Sequence, residues 1–102
     1  MNSYHLTEFA ALSLEEIIRY IAINSPVHAN KVRHEILKCC QLVADRPNLG
    51  KCRTDLAPIP IRMKSVTRYP NYLVFYVPET QPLQILDILH GKRNLPRILG
   101  RT

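Results

Sequence analysis

Apolar and polar residues repeat with a helical period in the first half of this chain. One early segment places apolar side chains at positions i, i+3, i+4 and i+7, which is the spacing of a single stripe on a helix. These residues are Leu14, Ile17, Ile18 and Ile21. Ser13, with Glu16 three residues later, matches a capping box, so we predict a helix that begins at Ser13 and ends near Asn24.

A second helical segment follows almost at once. Ser25-Pro26 supplies a capping residue and a proline for the first turn, and Arg46-Pro47 is expected to end the helix. Its apolar face comprises Ala29, Val32, Ile36, Cys39 or Cys40, and Val43. Lys31, His34 and Lys38 form a basic stripe on another face, which we interpret as a solvated surface. The two helices, joined by about two residues, should form an antiparallel hairpin.

The period changes to that of strands in the second half of the chain. Runs rich in Ile, Val, Leu and Tyr occupy residues 59–66, 72–77 and 83–89, and turn residues bound each run. We predict an antiparallel meander of these strands, preceded by a loop with Gly and Pro over residues 48–60. A weaker alternation over residues 4–9 predicts one further strand.

The alternation of side chains assigns faces to these strands. In the first meander strand, Ile59, Ile61 and Met63 should lie opposite Arg62, Lys64 and Val66. We expect the helical hairpin to cover the apolar face of this strand. In the last strand, Ile85, Asp87 and Leu89 alternate with Gln84, Leu86 and Ile88. The middle strand is apolar on both sides, which is typical of a central strand.

The predicted elements define one α+β domain over residues 1–102. Their order is β-α-α-β-β-β, and we expect the helical hairpin to pack on one face of a small antiparallel sheet. A chain of 102 residues is the size of a single domain. A hydrophobic content of 46% fits a folded protein and argues against disorder.

The charge balance favours an acidic macromolecular partner, either a nucleic acid or an acidic protein. The formal net charge is +6 and the isoelectric point is about 9.6. The meander also runs into a basic tail that contains Lys92 and Arg93. No apolar run approaches the roughly 18 residues of a membrane span, and no signal peptide is evident, so we expect a cytoplasmic protein without membrane contact.

The cysteines predict packing rather than chemistry. Cys39, Cys40 and Cys52 are odd in number and follow no secretory signal, which indicates free thiols in a reducing compartment. Adjacent helical positions diverge, so one of Cys39 and Cys40 should pack inward and the other should lie near the boundary. A zinc site would need His34 or His90 as further ligands, and the chain has no C-x-x-C pair. We therefore predict no metal and no cofactor.

Four segments, in their order and spacing, resemble the RelE/ParE toxins of bacterial type II toxin–antitoxin modules, and in particular the ParE branch. They are residues 14–17 (LEEI) with 20–22 (YIA), residues 46–51 (RPNLGK), residues 69–76 (YPNYLVFY), and residues 85–93, which carry IL and then ILHGKR. No segment is specific alone, but together the resemblance covers residues 5–95. It implies the same β-α-α-β-β-β fold.

The chain also departs from the ParE pattern at two positions. ParE-like chains often carry Arg in the last strand where this chain has Asp87, and Asp after the tail Arg where this chain has Asn94. An acidic residue in place of a basic one lowers the local positive charge unless it pairs with a neighbouring Arg or Lys. The departures leave open an inactive relative that only binds its antitoxin.

The resemblance implies a toxin that inhibits DNA gyrase and so blocks replication, as the plasmid-stabilisation modules of this branch do. This activity is interference with another enzyme, so it requires a recognition surface and no catalytic acid–base pair. The residues that we expect to contact the target are Arg62, Lys64, His90, Lys92, Arg93 and Arg97.

The RelE branch implies an alternative, a ribosome-dependent mRNA endoribonuclease. Cleavage by a 2′-hydroxyl needs a proton acceptor, a proton donor and cations that stabilise the charged phosphorane. The candidates for these roles are Arg62, Lys64, His90 and Arg93. However, Tyr72 stands where RelE-like chains have a catalytic Arg, and the tail over residues 95–102 contains neither Tyr nor His.

The family also implies a cognate, ParD-like antitoxin that covers the toxin with an amphipathic helix or an extended segment. The apolar anchors that we predict for it are Leu14 and Ile18 on the helical hairpin and Ile98 and Leu99 in the tail. The bound pair would repress its own operon, with the antitoxin supplying the DNA contacts. We therefore expect no sequence-specific DNA binding by this chain alone.

Overall fold

The computed structural model describes residues 2–55 and 59–91, which form two helices and a five-stranded sheet. The elements are β1 (Tyr4–Leu6), α1 (Glu8–Ala22), α2 (Pro26–Asp45), β2 (Lys51–Cys52), β3 (Arg62–Ser65), β4 (Tyr72–Val77) and β5 (Leu83–His90). The strand order is β1-β5-β4-β3-β2, and both helices pack on the sheet. The predicted α+β class and element order are confirmed, with β2 as a short strand inside the segment predicted to be a loop.

The sheet is mixed rather than purely antiparallel, because β1 pairs in parallel with β5. Tyr4 lies opposite Leu83 and Leu6 opposite Ile85, whereas the other strand pairs are antiparallel. The alternation within residues 4–9 carries no information about direction. The chain returns to β1 only after both helices and the meander, so tertiary packing decides this pairing.

Helix α1 begins earlier than the sequence pattern predicts. The hydroxyl of Thr7 accepts a hydrogen bond from the Ala10 amide at 3.2 Å and caps the helix. The predicted cap at Ser13 is wrong, because Ser13 lies within α1 and is buried. The prediction for α2 is confirmed: Ser25 caps the helix by accepting from the His28 amide at 3.1 Å.

A β-bulge interrupts the pairing of β4 with β5. Phe75 pairs with Asp87 and Tyr76 pairs with Ile85, so Leu86 is the extra residue on β5. The bulge changes which side chains share a face. Ile85 and Ile88 both join the core beneath the helices, whereas Leu86 packs on the opposite face, so the predicted simple alternation of β5 is wrong.

The sheet has an apolar cluster on each face. The larger cluster lies between the helices and the sheet, and it includes Val32, Ile36, Val66 and Val74. The smaller cluster is centred on Ile61, Phe75 and Leu89, with Met63 and Leu73 packed against it. The helices therefore cover the Val66 side of the first meander strand, and the prediction that they cover the Ile61 side is wrong.

Candidate functional site

A buried polar contact connects α1 to β5. The Ser13 hydroxyl donates a hydrogen bond of 2.5 Å to Asp87 Oδ1, and the Ile88 amide donates to the same oxygen at 2.9 Å. The side chain of Asp87 is fully buried. Asp87 follows directly after the bulged residue Leu86, and its hydrogen bond with Ser13 brings the carboxylate into contact with α1. Asp87 therefore takes part in the packing of the fold and does not line an exposed surface of β5.

Tyr76 anchors the segment between α2 and β2. Its hydroxyl donates to the Pro47 carbonyl at 2.8 Å and accepts from the Gly50 amide at 2.9 Å. Burial raises the pKa of Tyr76, so the hydroxyl stays protonated and able to donate. A Cβ on residue 50 would lie 2.6 Å from the Tyr76 hydroxyl and 2.7 Å from the Met63 carbonyl oxygen, so this position requires glycine.

Arg62 and Lys64, which the sequence predicts as target-binding or catalytic residues, are both directed to backbone carbonyls of this chain. The Arg62 guanidinium donates to the Gly50 carbonyl at 2.6 Å and to the Asn48 carbonyl at 3.4 Å. The Lys64 ammonium donates to the Ser65 carbonyl at 3.0 Å. Both side chains are half-buried, and the Arg62 contact joins β3 to the segment that precedes β2, whereas the Lys64 contact is local to β3.

His90 lies at the end of β5, directly opposite Tyr72 on β4. Its ring meets the Tyr72 ring edge-on, with 5.3 Å between the ring centroids. Its Nδ1 atom is buried and has no hydrogen-bond partner among residues 2–55 and 59–91. His90 is thus held by an aromatic contact, and its Nδ1 atom is not paired with an acid among the described residues.

The sheet separates His90 from Arg62 and Lys64, the ribonuclease candidates on β3. Lys64 and Val74 form one cross-strand pair, Arg62 and Tyr76 another, whereas His90 pairs with Tyr72. From the ordinary spacing of strands and residues, the Cα atom of His90 is roughly 12 Å from that of Lys64 and roughly 16 Å from that of Arg62. A general acid and base acting on one phosphate must each lie within hydrogen-bond reach of it.

The predicted apolar anchors on the hairpin are corrected by their burial. Leu14 and Ile18 are only 4% and 7% exposed and belong to the core between helices and sheet, so neither is available at the surface of the folded chain. The opposite face of α1 carries the exposed apolar residues, namely Phe9, Leu12, Tyr20 and the capping residue Ile23. With Glu16 they follow a spacing of 3 or 4 residues and form one stripe, which we call the α1 stripe.

A groove runs along α2 beside the turn between β3 and β4. Lys31, His34 and Lys38, the basic stripe of the sequence, stand on its α2 side, and Arg68 stands on the turn. The sequence pattern could not predict that Arg68 lies beside this stripe, because Arg68 is about 30 positions away from it in the chain.

The thiols of α2 are packing groups. Cys39 and Cys40 are both buried, so the expectation that one of them lies near the boundary is wrong. Burial raises the pKa of Cys39 to about 11 and that of Cys40 to about 12, so both stay protonated at neutral pH. Cys52 is exposed on β2. The described part of the chain contains no group of three or more His, Cys, Asp or Glu side chains placed to hold a metal ion.

Comparison with known proteins identifies the family. The protein-family model for the ParE toxin of type II toxin–antitoxin systems, parDE, matches residues 4–95 of this chain. The chain belongs to the ParE toxin family. A solved structure, the chromosomal ParDE toxin–antitoxin system from P. aeruginosa, has the same fold, with a TM-score of 0.72 at 24% identity over 90% of this chain and 98% of that one. No curated protein matches the chain in sequence.

Several predicted ParE site residues lie beyond the described part of the chain. They are Lys92, Arg93, Arg97, Ile98 and Leu99, together with the departure at Asn94. The other departure, Asp87, is a buried residue that binds Ser13. Within residues 2–55 and 59–91, neither helix is long and apolar enough to cross a membrane.

Proposed function

We propose that this ParE-family toxin poisons DNA gyrase by binding it, and that a cognate ParD-like antitoxin neutralises it in the cytoplasm. The choice between gyrase poisoning, the ParE activity, and mRNA cleavage, the RelE activity, rests on the register of the sheet. Arg62 and Lys64 lie on β3 and His90 lies on β5, with β4 between them, and the two cations already donate hydrogen bonds to carbonyls of this chain. A poison that acts by surface recognition does not need these groups to converge, whereas a ribonuclease does.

The α1 stripe supports a helical antitoxin contact. Leu12, Tyr20 and Ile23 are 57%, 70% and 77% exposed, and Phe9 is 53% exposed. Large apolar side chains repeated along one helix face are typical of a surface that receives another amphipathic helix. Such a partner would bury this stripe, and we propose the stripe in place of Leu14 and Ile18 as the hairpin's contribution to antitoxin binding.

The gyrase proposal is tested directly with the purified proteins. We would titrate the toxin into a supercoiling reaction of gyrase and relaxed plasmid, using toxin saturated with its antitoxin as the matched control. We expect supercoiling to fall and cleaved DNA to accumulate with free toxin, and neither change with the saturated toxin. Unchanged supercoiling at a large excess of free toxin would contradict the proposal.

A second experiment separates gyrase poisoning from mRNA cleavage in cells. DNA and protein synthesis would be followed by pulse labelling in one culture after toxin induction without antitoxin. We expect DNA synthesis to fall first. An earlier fall in protein synthesis would favour the ribonuclease, and His90→Ala and Arg93→Ala would then be the first variants. A chain that changes neither rate would be an inactive relative that only binds antitoxin.

The proposal also assigns operator binding to the antitoxin. We expect the purified toxin to give no sequence-specific mobility shift of operator DNA at physiological salt, because its net charge of +6 supports only salt-sensitive contacts with phosphates. A specific shift by the toxin alone that persists at this salt concentration would contradict the assignment.

A further inference from the structure

The groove beside α2 is a continuous surface feature with charged walls. It consists of two adjoining cavities of about 390 Å³ and about 420 Å³, and Glu35 and Arg68 line both. Lys31 contributes to one cavity and Lys38 to the other. These two lysines are seven residues apart on α2, which corresponds to two helical turns, or about 10 Å.

The cations of this groove are available to a partner. The described ion pairs are Arg33 with Glu15 and Arg53 with Asp55, and neither involves a residue that lines the groove. Within the described ranges, the side chains of Lys31, Lys38 and Arg68 form no ion pair. By contrast, Arg62 and Lys64 each donate hydrogen bonds to backbone carbonyls of this chain, which restrain these side chains without neutralising their charge. The cations of the groove are therefore less constrained by the fold than those of β3.

The ends of the groove are apolar. Val27 and Tyr69 line one end and Leu42 lines the other. The ring of His28 meets Tyr69 edge-on, with centroids 5.7 Å apart, which restricts the orientation of the Tyr69 ring. A ligand that fills the groove would meet cations along the middle and hydrocarbon at both ends, so it should carry both carboxylates and apolar side chains.

We propose that this groove receives an acidic, partly apolar segment of the protein that the toxin poisons. The inference rests on the proposed function, because it assigns the surface through which the toxin recognises its target. A polypeptide fits better than a nucleic acid, because the apolar ends would contact phosphates and sugars poorly and apolar side chains well. The α1 stripe leaves the antitoxin a separate surface.

The test uses two charge-matched variants of the full chain. The groove variant is Lys38→Glu/Arg68→Glu, which reverses one cation on each wall. The control variant is Arg46→Glu/Lys51→Glu, which reverses two exposed cations that do not line the groove. Each variant lowers the formal net charge by 4, from +6 to +2, so general electrostatic attraction is the same in both.

Three readouts are compared: colony survival after induction without antitoxin, gyrase inhibition by the purified chain, and antitoxin binding by calorimetry. We expect the groove variant to restore survival and to need at least about tenfold more protein for half-inhibition of gyrase, a change worth about 1.4 kcal/mol. The control variant should stay within about threefold of the wild-type chain. Both variants should bind antitoxin as the wild-type chain does, which shows that they are folded.

Several results would overturn the inference. A groove variant that arrests growth like the wild-type chain would do so, and so would one that loses antitoxin binding, because the groove would then belong to the antitoxin. Wild-type binding of duplex DNA alone, lost in the groove variant only, would assign the groove to nucleic acid instead. If the wild-type chain arrests growth but leaves gyrase active, the gyrase proposal fails, while survival of the two variants still decides the role of the groove.

Discussion

The Ser13 hydroxyl and the Asp87 carboxylate form a buried hydrogen bond of 2.5 Å that joins α1 to β5. The contact explains why a serine stands inside the helix and why an acidic residue is tolerated in a strand that is otherwise largely apolar. A buried carboxylate needs hydrogen-bond donors, and the Ser13 hydroxyl and the Ile88 amide both supply one. Asp87 follows directly after the bulged residue Leu86, where the pairing of β4 with β5 shifts register.

Removal of this contact should destabilise the fold. We expect Ser13→Ala to lower the free energy of unfolding by about 1–3 kcal/mol, because it leaves a buried carboxylate oxygen with one donor fewer. Urea denaturation would measure the change. Ser3→Ala, at an exposed side chain, is the matched control and should stay within about 0.5 kcal/mol of the wild-type chain. Equal stabilities of the Ser13 and Ser3 variants would contradict the role of the contact.

The Tyr76 hydroxyl should contribute a comparable amount by holding the segment from Pro47 to Gly50. We expect Tyr76→Phe to cost about 1–3 kcal/mol, because the buried Gly50 amide loses its acceptor. Tyr20→Phe, at a tyrosine that is 70% exposed, should change stability by less than about 0.5 kcal/mol. Thermal or urea unfolding of the two variants would test this, and similar losses in both would contradict it.

A side chain at position 50 should be destabilising through the same contact. Gly50→Ala would place a Cβ 2.6 Å from the Tyr76 hydroxyl, and we expect it to cost about 1–3 kcal/mol. In the Gly50→Ala/Tyr76→Phe double variant one of the two close contacts is gone, so the losses should be less than additive. Strict additivity in a double-mutant cycle would show that the hydroxyl is not the obstacle.

The buried thiols predict a loss of stability at alkaline pH. Burial raises the pKa of Cys39 to about 11 and of Cys40 to about 12 from the ordinary value of 9.0. Below pH 9 the thiols are protonated in both states, so their contribution to stability is complete. Above pH 9 the unfolded chain loses these protons first, so stability falls as the pH rises towards 11–12.

Urea denaturation between pH 7 and pH 10.5 would measure this decline. In Cys39→Ala/Cys40→Ala the decline should be shallower, although Tyr4 and Tyr76, whose pKa values are also raised by burial, still contribute above pH 10. Cys52→Ala removes an exposed thiol and should decline like the wild-type chain. The slopes are compared rather than the absolute stabilities, because the double variant also leaves small cavities. Parallel slopes in all three proteins would contradict the prediction.

The α1 stripe predicts a selective loss of antitoxin binding. Leu12→Glu/Ile23→Glu places charges at two exposed apolar positions, so we expect the fold to persist and antitoxin affinity to fall by at least about a hundredfold. Leu49→Glu, at an exposed leucine in the segment that precedes β2, is the control and should bind normally. Calorimetry would compare the affinities, and far-UV circular dichroism would check folding. Normal binding by the stripe variant would exclude this surface.

The local sequence pattern is sufficient to predict the type and order of the main elements, because those depend on interactions between residues close in the chain. Three signals each span only a few residues of the chain. They are the helical period from Leu14 to Ile21, the Ser25-Pro26 start of α2, and the runs of β-branched residues before and after residue 80. The same local patterns, in their spacing, carried the resemblance to ParE toxins that the family match over residues 4–95 confirms. The placement of Tyr72–Val77 as a central strand was also correct.

Which side chains meet across the fold depends on tertiary packing, which the local pattern does not encode. The parallel pairing of β1 with β5 and the contact of Ser13 with Asp87 join residues that are more than 70 positions apart. The bulge at Leu86 depends on a strand register that no local period encodes. Sequence reasoning therefore placed the hairpin anchors on the buried face of α1 and assigned Arg62 and Lys64 to a target surface. Side-chain burial and competing hydrogen bonds are properties of the packed chain. On this basis we propose the exposed α1 stripe as the antitoxin surface and the groove beside Arg68 as the target surface.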